Sequence, residues 1–396
     1  AFMLNSLLLG LSKKNIKKIM KILITGDFAP QARLAKQIEE KQFSKVFPEN
    51  IREIIKSADF SFVNFESPIV ETGYKPIPKC GPNLRCTKEA AEAVRYAGFT
   101  GVTMANNHIL DYGTEGLHKS VECCKDQGLD VVGVGEDLKD AEEIFYIEKD
   151  GKTLAVINCC EHEFTIATDT EAGANPLNPV RQFYAIHKAK NIADYVLVIV
   201  HGGHEMFQLP SPRMVEIYRF FIDAGADAVV NHHQHCYSGY EYYNGKPIFY
   251  GLGNFCFDEE ELRNCSWNEG YMVMLEFTAD GIGYELYPYT QCNEKAAVSL
   301  MTDKVAFLKE IDKFNNIIKN PSLLKDECNK YYMSTTEFYN TMLQPYENRV
   351  LNKLFKMGLL PSVISKRKKT WMLNNINCES HHDRFVFALK QIISKL

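Results

Sequence analysis

Gly101-Val102-Thr103-Met104-Ala105-Asn106-Asn107-His108-Ile109-Leu110-Asp111-Tyr112-Gly113 is the stretch on which the reading of the fold turns. A short β-branched run leads straight into an amide, an imidazole and a carboxylate, and a glycine closes the turn. Open α/β sheets bind their ligands just past the carboxyl ends of their strands, which is where these polar groups fall. A polar turn would look similar in isolation. The weight therefore comes from what lies on either side.

Upstream, Met20-Lys21-Ile22-Leu23-Ile24-Thr25-Gly26-Asp27 carries an apolar run into a carboxylate, and Asn64-Phe65-Glu66-Ser67-Pro68 does the same. Downstream, Val200-His201-Gly202-Gly203-His204-Glu205 and Asn231-His232-His233-Gln234-His235 leave two further β runs. Five of the 11 histidines lie in these two loops. A lone strand-end Asp or Glu is ordinarily a cap, and a lone loop histidine is ordinarily a surface residue. Clustered imidazoles beside strand-end carboxylates are instead a ligand set suited to Zn, Mn or Fe. His233 and His235, at alternate positions of a loop, can direct two rings toward one site.

Around these motifs the chain reads as α/β. Strands are expected at Lys21 to Thr25, Phe60 to Asn64, Gly101 to Met104, Asp130 to Val134, Leu154 to Asn158, Tyr195 to Val200, Ala228 to Asn231 and Pro247 to Tyr250. Helices are expected at Lys88 to Ala97, Thr114 to Gln127 and Arg213 to Ala224. Tyr271 to Phe277 and Gly283 to Tyr289 read as a hairpin turning at Asp280-Gly281. Beyond about Lys295 the pattern becomes helical, with helices expected at Lys304 to Ile318, at Ser334 to Lys356 with a break at Pro345, and from a cap at Ser380 through Lys395. This divides the chain into an extension over residues 1–19, an α/β domain over 20–290 and a helical region over 291–396.

The bulk properties fit that plan. The 396 residues are 45% hydrophobic and 24% charged, with a formal net charge of -5, which suits a globular chain and argues against a general nucleic-acid binder. The 12 cysteines lack the spacing of a disulfide framework and read as reduced. Ala1 to Leu11 is too short to span a bilayer, and its lysines follow it, the reverse of a secretory signal. The expected location is cytoplasmic, with peripheral membrane association through residues 1–19 as the alternative. The Lys366-Arg367-Lys368-Lys369 run reads as a solvated face.

The order of motifs resembles the CapA family of capsule and poly-gamma-glutamate synthesis proteins, the PGA-cap family, which has a calcineurin-like metallophosphoesterase fold. The resemblance rests on the segments quoted above together with Tyr250-Gly251-Leu252-Gly253-Asn254-Phe255, in family order over about three-fifths of the chain. It implies an αββα sandwich with a C-terminal helical extension. It also implies one or two divalent ions, with Asp27 and His235 at one centre, Asn107, His201 and His233 at the other, and Glu66 in the bridging place. His108 would stabilise or protonate a leaving oxygen, with Asp111 orienting it. Glu205 would hold a ligand histidine from outside, and His204, His232 and Asn254 would support ligands or line the substrate side.

The chain departs from the pattern at four positions. Ala29 stands where typical metallophosphoesterases carry a histidine, a loss of one ligand that is usual in the CapA family; Glu66 replaces the usual bridging aspartate, Gln234 a proline and Gly202 a tryptophan. The expected function is a metal-dependent hydrolase or phosphoesterase in making or trimming capsule or poly-gamma-glutamate, acting on an anionic polymer or phosphoester. A non-catalytic accessory subunit, with protein partners docking on the C-terminal helices, and an intracellular phosphodiesterase unconnected with capsules are the alternatives. No nucleic-acid partner and no transmembrane segment are expected.

Overall fold

Alternation in the first strand sets the layering, because side chains of successive strand residues point to opposite faces. In the computed structural model, which describes residues 19–346 and 348–393, Ile22 and Ile24 face one hydrophobic layer and Leu23 another. The strands, in chain order, are β1 (Met20–Ala29), β2 (Phe60–Phe65), β3 (Gly101–Thr103), β4 (Asp130–Val132), β5 (Val134–Gly135) and β6 (Phe145–Lys149). Then come β7 (Lys152–Cys160), β8 (Gly173–Ala174), β9 (Tyr195–His201), β10 (Ala228–His232), β11 (Tyr240–Tyr243) and β12 (Lys246–Phe249). The last are β13 (Asn254–Phe257), β14 (Glu269–Thr278), β15 (Gly281–Gln291) and β16 (Val298–Leu300).

One sheet runs β16-β15-β14-β1-β2-β3-β4, with β13 joined to the carboxyl end of β1. Its β1 to β4 half is parallel, and β14 to β16 form an antiparallel flank. The second sheet runs β11-β12-β10-β9-β7-β6, parallel through β12, β10, β9 and β7 and antiparallel at both edges. Ile22, Ile24, Phe62, Val273 and Leu275 of the first sheet pack on Leu154, Val156, Leu197, Ile199 and Val230 of the second. Each such buried side chain contributes about 1.5–3 kcal/mol, so the inter-sheet layer holds the sheets together. Leu34, Ile38, Ile51, Ala90, Val94 and Leu117 cover the outer face of the first sheet from its helices. Helices Pro179–Lys190 and Pro212–Asp223 cover the second. The architecture is the expected αββα sandwich.

Most elements lie where the sequence pattern puts them, and the differences have local causes. Pro179–Lys190 is a helix that periodicity missed; Asn178 accepts hydrogen bonds from the Val180 and Arg181 amides, and Pro179 presets the first helical residue. Ala32–Glu39, Phe43–Val46 and Glu49–Lys56 were also missed, being too short for a clear period. β1 and β7 extend past their apolar runs, so Asp27 lies within β1 instead of beyond it. The hairpin turns through Ala279-Asp280, with Thr278 paired to Gly281.

The chain divides into two compact units, the first running through Lys325 and the second Asp326–Leu396. Helix Lys304–Ile318 belongs to the first and buries Phe307 and Ile311 in its inter-sheet layer. Helix Pro321–Met342 begins well before the expected Ser334 and stops short of Pro345, and the next helix runs Arg349–Lys356 to the expected end; in the second unit Lys366–Asn377 packs on Glu379–Ile393. The last helix begins at Glu379, so Ser380 lies inside its first turn and is not its cap, and Lys395 falls outside the described residues. The N-terminal extension falls outside them up to residue 18. Among the described residues no helix is long and apolar enough to cross a membrane. All 12 cysteines are free thiols.

Candidate metal centre

Asp27 is aimed into the site by a bulge. Ile24 pairs with Phe62 and Asp27 with Asn64, so β1 holds one more residue than β2 between these pairs, and the parity of its side chains flips. Asp27 thereby shares the inward face of Ile22 and Ile24. The bulge lets Gly26 approach β13 so closely that a methyl group there would stand 1.7 Å from the Gly253 carbonyl oxygen. Only glycine fits. Glu66 follows β2, with its amide donating to the Phe28 carbonyl at 3.0 Å. His201 ends β9, and β10 leads into His233 and His235, which sit at φ 89° and 55°. Left-handed backbone at two non-glycine residues costs about 1–3 kcal/mol each and is a feature of functional sites.

Four donor atoms converge on one point. His201 Nε2 lies 2.9 Å from Asn107 Oδ1, 3.0 Å from His233 Nδ1 and 3.7 Å from Glu66 Oε1. Asp27, Glu66 and His235 form a neighbouring trio whose donor atoms lie within 4.8 Å of one another. All six residues expected to hold metal are thus brought together, with Glu66 common to both groups. Glu66 is fully buried, yet neither of its carboxylate oxygens carries a hydrogen bond among the described residues. A buried, unbonded carboxylate amid imidazoles is costly unless a cation is its partner, so the residues present fit divalent ions. His232, also buried, has neither ring nitrogen hydrogen-bonded and lies 3.6 Å from Asp27 Oδ1.

The electrostatics follow from burial and crowding. Burial, then the charge of Asp27, raises the Glu66 carboxyl well above its ordinary range. Burial also opposes ionisation of Asp27, but His235 beside it and the fields of His232 and His201 outweigh it and hold that carboxyl low. Burial lowers His201, His233, His232 and half-buried His204. Burial opposes charge on His235 as well, but Glu66 and Asp27 raise it to about 10.

Neighbours fix the ligands. Asn254 Nδ2 donates to the His235 and Trp267 carbonyls, which turns its Oδ1 toward His235 Nδ1 at 2.9 Å. An amide oxygen only accepts, so Nδ1 carries a proton; Nε2 lies 3.9 Å from Glu66 Oε1, and Asp27 Oδ2 lies 3.6 Å from Nδ1. Asn107 Nδ2 donates to Glu163 Oε2 at 3.3 Å, leaving Oδ1 for the centre. His108 Nδ1 lies 2.7 Å from Asp111 Oδ2, within hydrogen-bond reach of the carboxylate. Sequence reading missed Lys79, whose buried ammonium bonds Asp111 Oδ1 and lies 3.1 Å from His108 Nδ1. It also missed Glu163, in a loop, and Trp267, in the single 3-10 turn Ser266–Asn268, where no periodicity flags them.

The departures have partners too. Ala29 packs with Leu84, Phe257 and Trp267, and the latter two rings meet His235 edge-on and tilted, at centroid distances of 5.5 and 4.8 Å. Aromatic volume therefore fills the side of His235 next to Ala29. At Gly202 a Cβ would meet the Glu161 side chain at 2.6 Å; Glu161 lies beside it and accepts from the Gly203 amide at 3.0 Å. Gln234 Nε2 donates to the Phe207 and Leu209 carbonyls, bonds that a proline could not make.

A two-layered sheet sandwich that gathers carboxylates, an amide and imidazoles at its strand ends is a metallophosphoesterase-like fold. More narrowly, the chain belongs to the bacterial capsule synthesis protein family PGA_cap, whose model matches residues 21–259. Its relatives include the capsule biosynthesis protein CapA of Bacillus anthracis, 34% identical over 244 residues, covering 60% of this chain and 59% of that protein. The PGA biosynthesis protein CapA of Bacillus subtilis (strain 168) is 32% identical over 275 residues, covering 68% of this chain and 71% of that protein. The chain thus spans about three-fifths of the length of the Bacillus anthracis relative. Looser likenesses of fold run to a phosphatase of Mycoplasma pneumoniae (TM-score 0.45, 13% identity, 70% of this chain and 96% of that one). Another is to a 5'-nucleotidase from Candida albicans (TM-score 0.39, 12% identity, 79% and 57%).

Proposed function

We propose that this chain is a metal-dependent hydrolase that acts on an anionic polymer or phosphoester during the making or trimming of capsule or poly-gamma-glutamate. The observation that carries this reading is Glu66, buried without a hydrogen bond where Asn107, His201, His233, Asp27 and His235 converge. Asp27, Glu66 and His235 would hold one ion, and Glu66, Asn107, His201 and His233 a second. Bound divalent ions supply Lewis-acid polarisation and a nucleophile at neutral pH.

The chain's own residues do the rest. Asp111 accepts the Nδ1 proton of His108, which leaves Nε2 to give a proton to, or take one from, a substrate oxygen. Lys79 balances the Asp111 charge, and the Leu84 amide donates to its second oxygen at 2.6 Å, so the carboxylate cannot turn away. In the test, purified protein loaded with Mn or Zn is assayed on model phosphoesters and on gamma-glutamyl amides. Turnover that is lost in Asn107→Ala and His108→Ala is expected. A protein that takes up no divalent ion and hydrolyses neither class refutes the reading. Uptake without turnover would favour an accessory role, for which the missing donor at Ala29 is the motive.

A further inference from the structure

The two metal groups are not equally furnished. Glu66, Asn107, His201 and His233 offer four donors to one ion, whereas Asp27, Glu66 and His235 offer three to the other. Ala29 brings no donor, and Phe257 and Trp267 occupy the flank of His235 beside it, so the missing ligand cannot come from that side. Buried His232, 3.6 Å from Asp27, is not among the donor groups that converge with His235, which leaves the far side of the imidazoles to search.

Glu205 is there. A carboxylate oxygen of Glu205 and ring nitrogens of His233 and His235 lie within 4.8 Å of one another, although Glu205 itself is exposed. Its position is fixed by more than its own loop. The Met206 amide donates to the Gln234 carbonyl at 2.9 Å, and Gln234 Nε2 returns bonds to Phe207 and Leu209 at 2.8 and 3.1 Å. Gln234 stands between the two histidines, so these three bonds lace the Glu205 segment directly onto the His233–His235 turn. Met206 is held at φ 58° and His233 and His235 are also left-handed, so both sides of the lacing keep strained backbone where the carboxylate meets the rings.

We propose that Glu205 is a direct metal ligand, entering from the mouth of the site and replacing the donor that Ala29 lacks. This rests on the metal reading above. It also alters the charge balance: two dications would face three carboxylates instead of two, which leaves a single net positive charge to attract an anionic substrate.

The test reads metal, not turnover. Wild-type chain, Glu205→Ala, Glu205→Asp and, as a control, Asp27→Asn are equilibrated with Mn, passed through gel filtration and analysed for metal content and by electron paramagnetic resonance. Metal-free melting checks that each variant folds. The expected result is two ions with a spin-coupled spectrum in wild type, and one ion with an isolated-Mn spectrum in Glu205→Ala, as in Asp27→Asn. Glu205→Asp is expected to recover part of the second ion. If Glu205→Ala still takes up two coupled ions at saturating Mn, even with affinity weakened by the roughly 10–100-fold that losing an outer partner costs, the proposal is overturned. If wild type binds no Mn, the metal reading itself falls and this proposal with it.

Discussion

Replacing Glu66 by Leu removes the least satisfied group in the site while keeping its volume close to constant. Both carboxylate oxygens are buried without hydrogen bonds, and burial and Asp27 together outweigh the attraction of His235, since the carboxyl is raised well above its ordinary range. An unsatisfied buried polar group costs about 1–3 kcal/mol, so clearing two of them stabilises the metal-free protein by about 2–4 kcal/mol once repacking is allowed for. At about 2 °C per kcal/mol for a unit of this size, that raises the melting temperature by about 4–8 °C. Wild type has the opposite response to metal: at a hundredfold excess over its dissociation constant an ion adds about 2.7 kcal/mol, or about 5 °C. The assay is thermal unfolding of both proteins in chelator and in Mn. Glu66→Leu should melt higher than wild type in chelator and show no shift with Mn. If it melts lower than wild type in chelator, or keeps the Mn shift, Glu66 is a structural carboxylate and the reasoning fails.

Three further outcomes follow from the same geometry. Gly26→Ala should destabilise by about 3 kcal/mol or more, because its methyl would overlap the Gly253 carbonyl and force β13 off β1; urea unfolding measures it, and a change below 1 kcal/mol would show that the seam is slack. Lys79→Met leaves the buried Asp111 charge without its cation and should cost about 2–4 kcal/mol and slow any hydrolysis that depends on His108; unchanged stability would mean that the pair is not needed. Metal uptake should strengthen with pH. His235 is raised to about 10, so in the metal-free protein its charge stabilises fully below the ordinary 6.5 and that contribution fades as pH rises through about 10. An ion competes with that proton, so affinity should rise by up to about tenfold per pH unit between 7 and 9, with proton release seen as buffer-dependent heats; a flat profile would contradict it.

The strands that carry the site were legible because buried parallel strands are unbroken apolar runs, and the polar residues that end them stand out by contrast. The segments that hold Asp27, Asn107, His201 and His233 could be picked out this way, while the family resemblance supplied the part each residue is expected to play. What could not be read was aim. The bulge that turns Asp27 inward depends on register against β2, and register is a property of two segments. Glu163 and Lys79 reach the site from loops whose sequences show no period, and Trp267 fills the space beside Ala29 from a segment that reads as a turn. β13 went unrecognised as a strand because its four residues coincide with a motif and pair only with the last residues of β1.

The position of β1 between β2 and β14 bears on how the molecule is made. One neighbour, Phe60–Phe65, leaves the ribosome soon after β1 itself, but the other, Glu269–Thr278, lies near the end of the first unit. At about 5–20 residues per second the first strand waits roughly 10–50 s with one side of its backbone unpaired. An apolar strand with an open edge is an invitation to pair with another chain, and Met20–Ala29 is such a strand for the whole of that interval. Nascent chains arrested before residue 278 should therefore be held by chaperones or aggregate, and release from that state should coincide with the emergence of the β14–β15 hairpin.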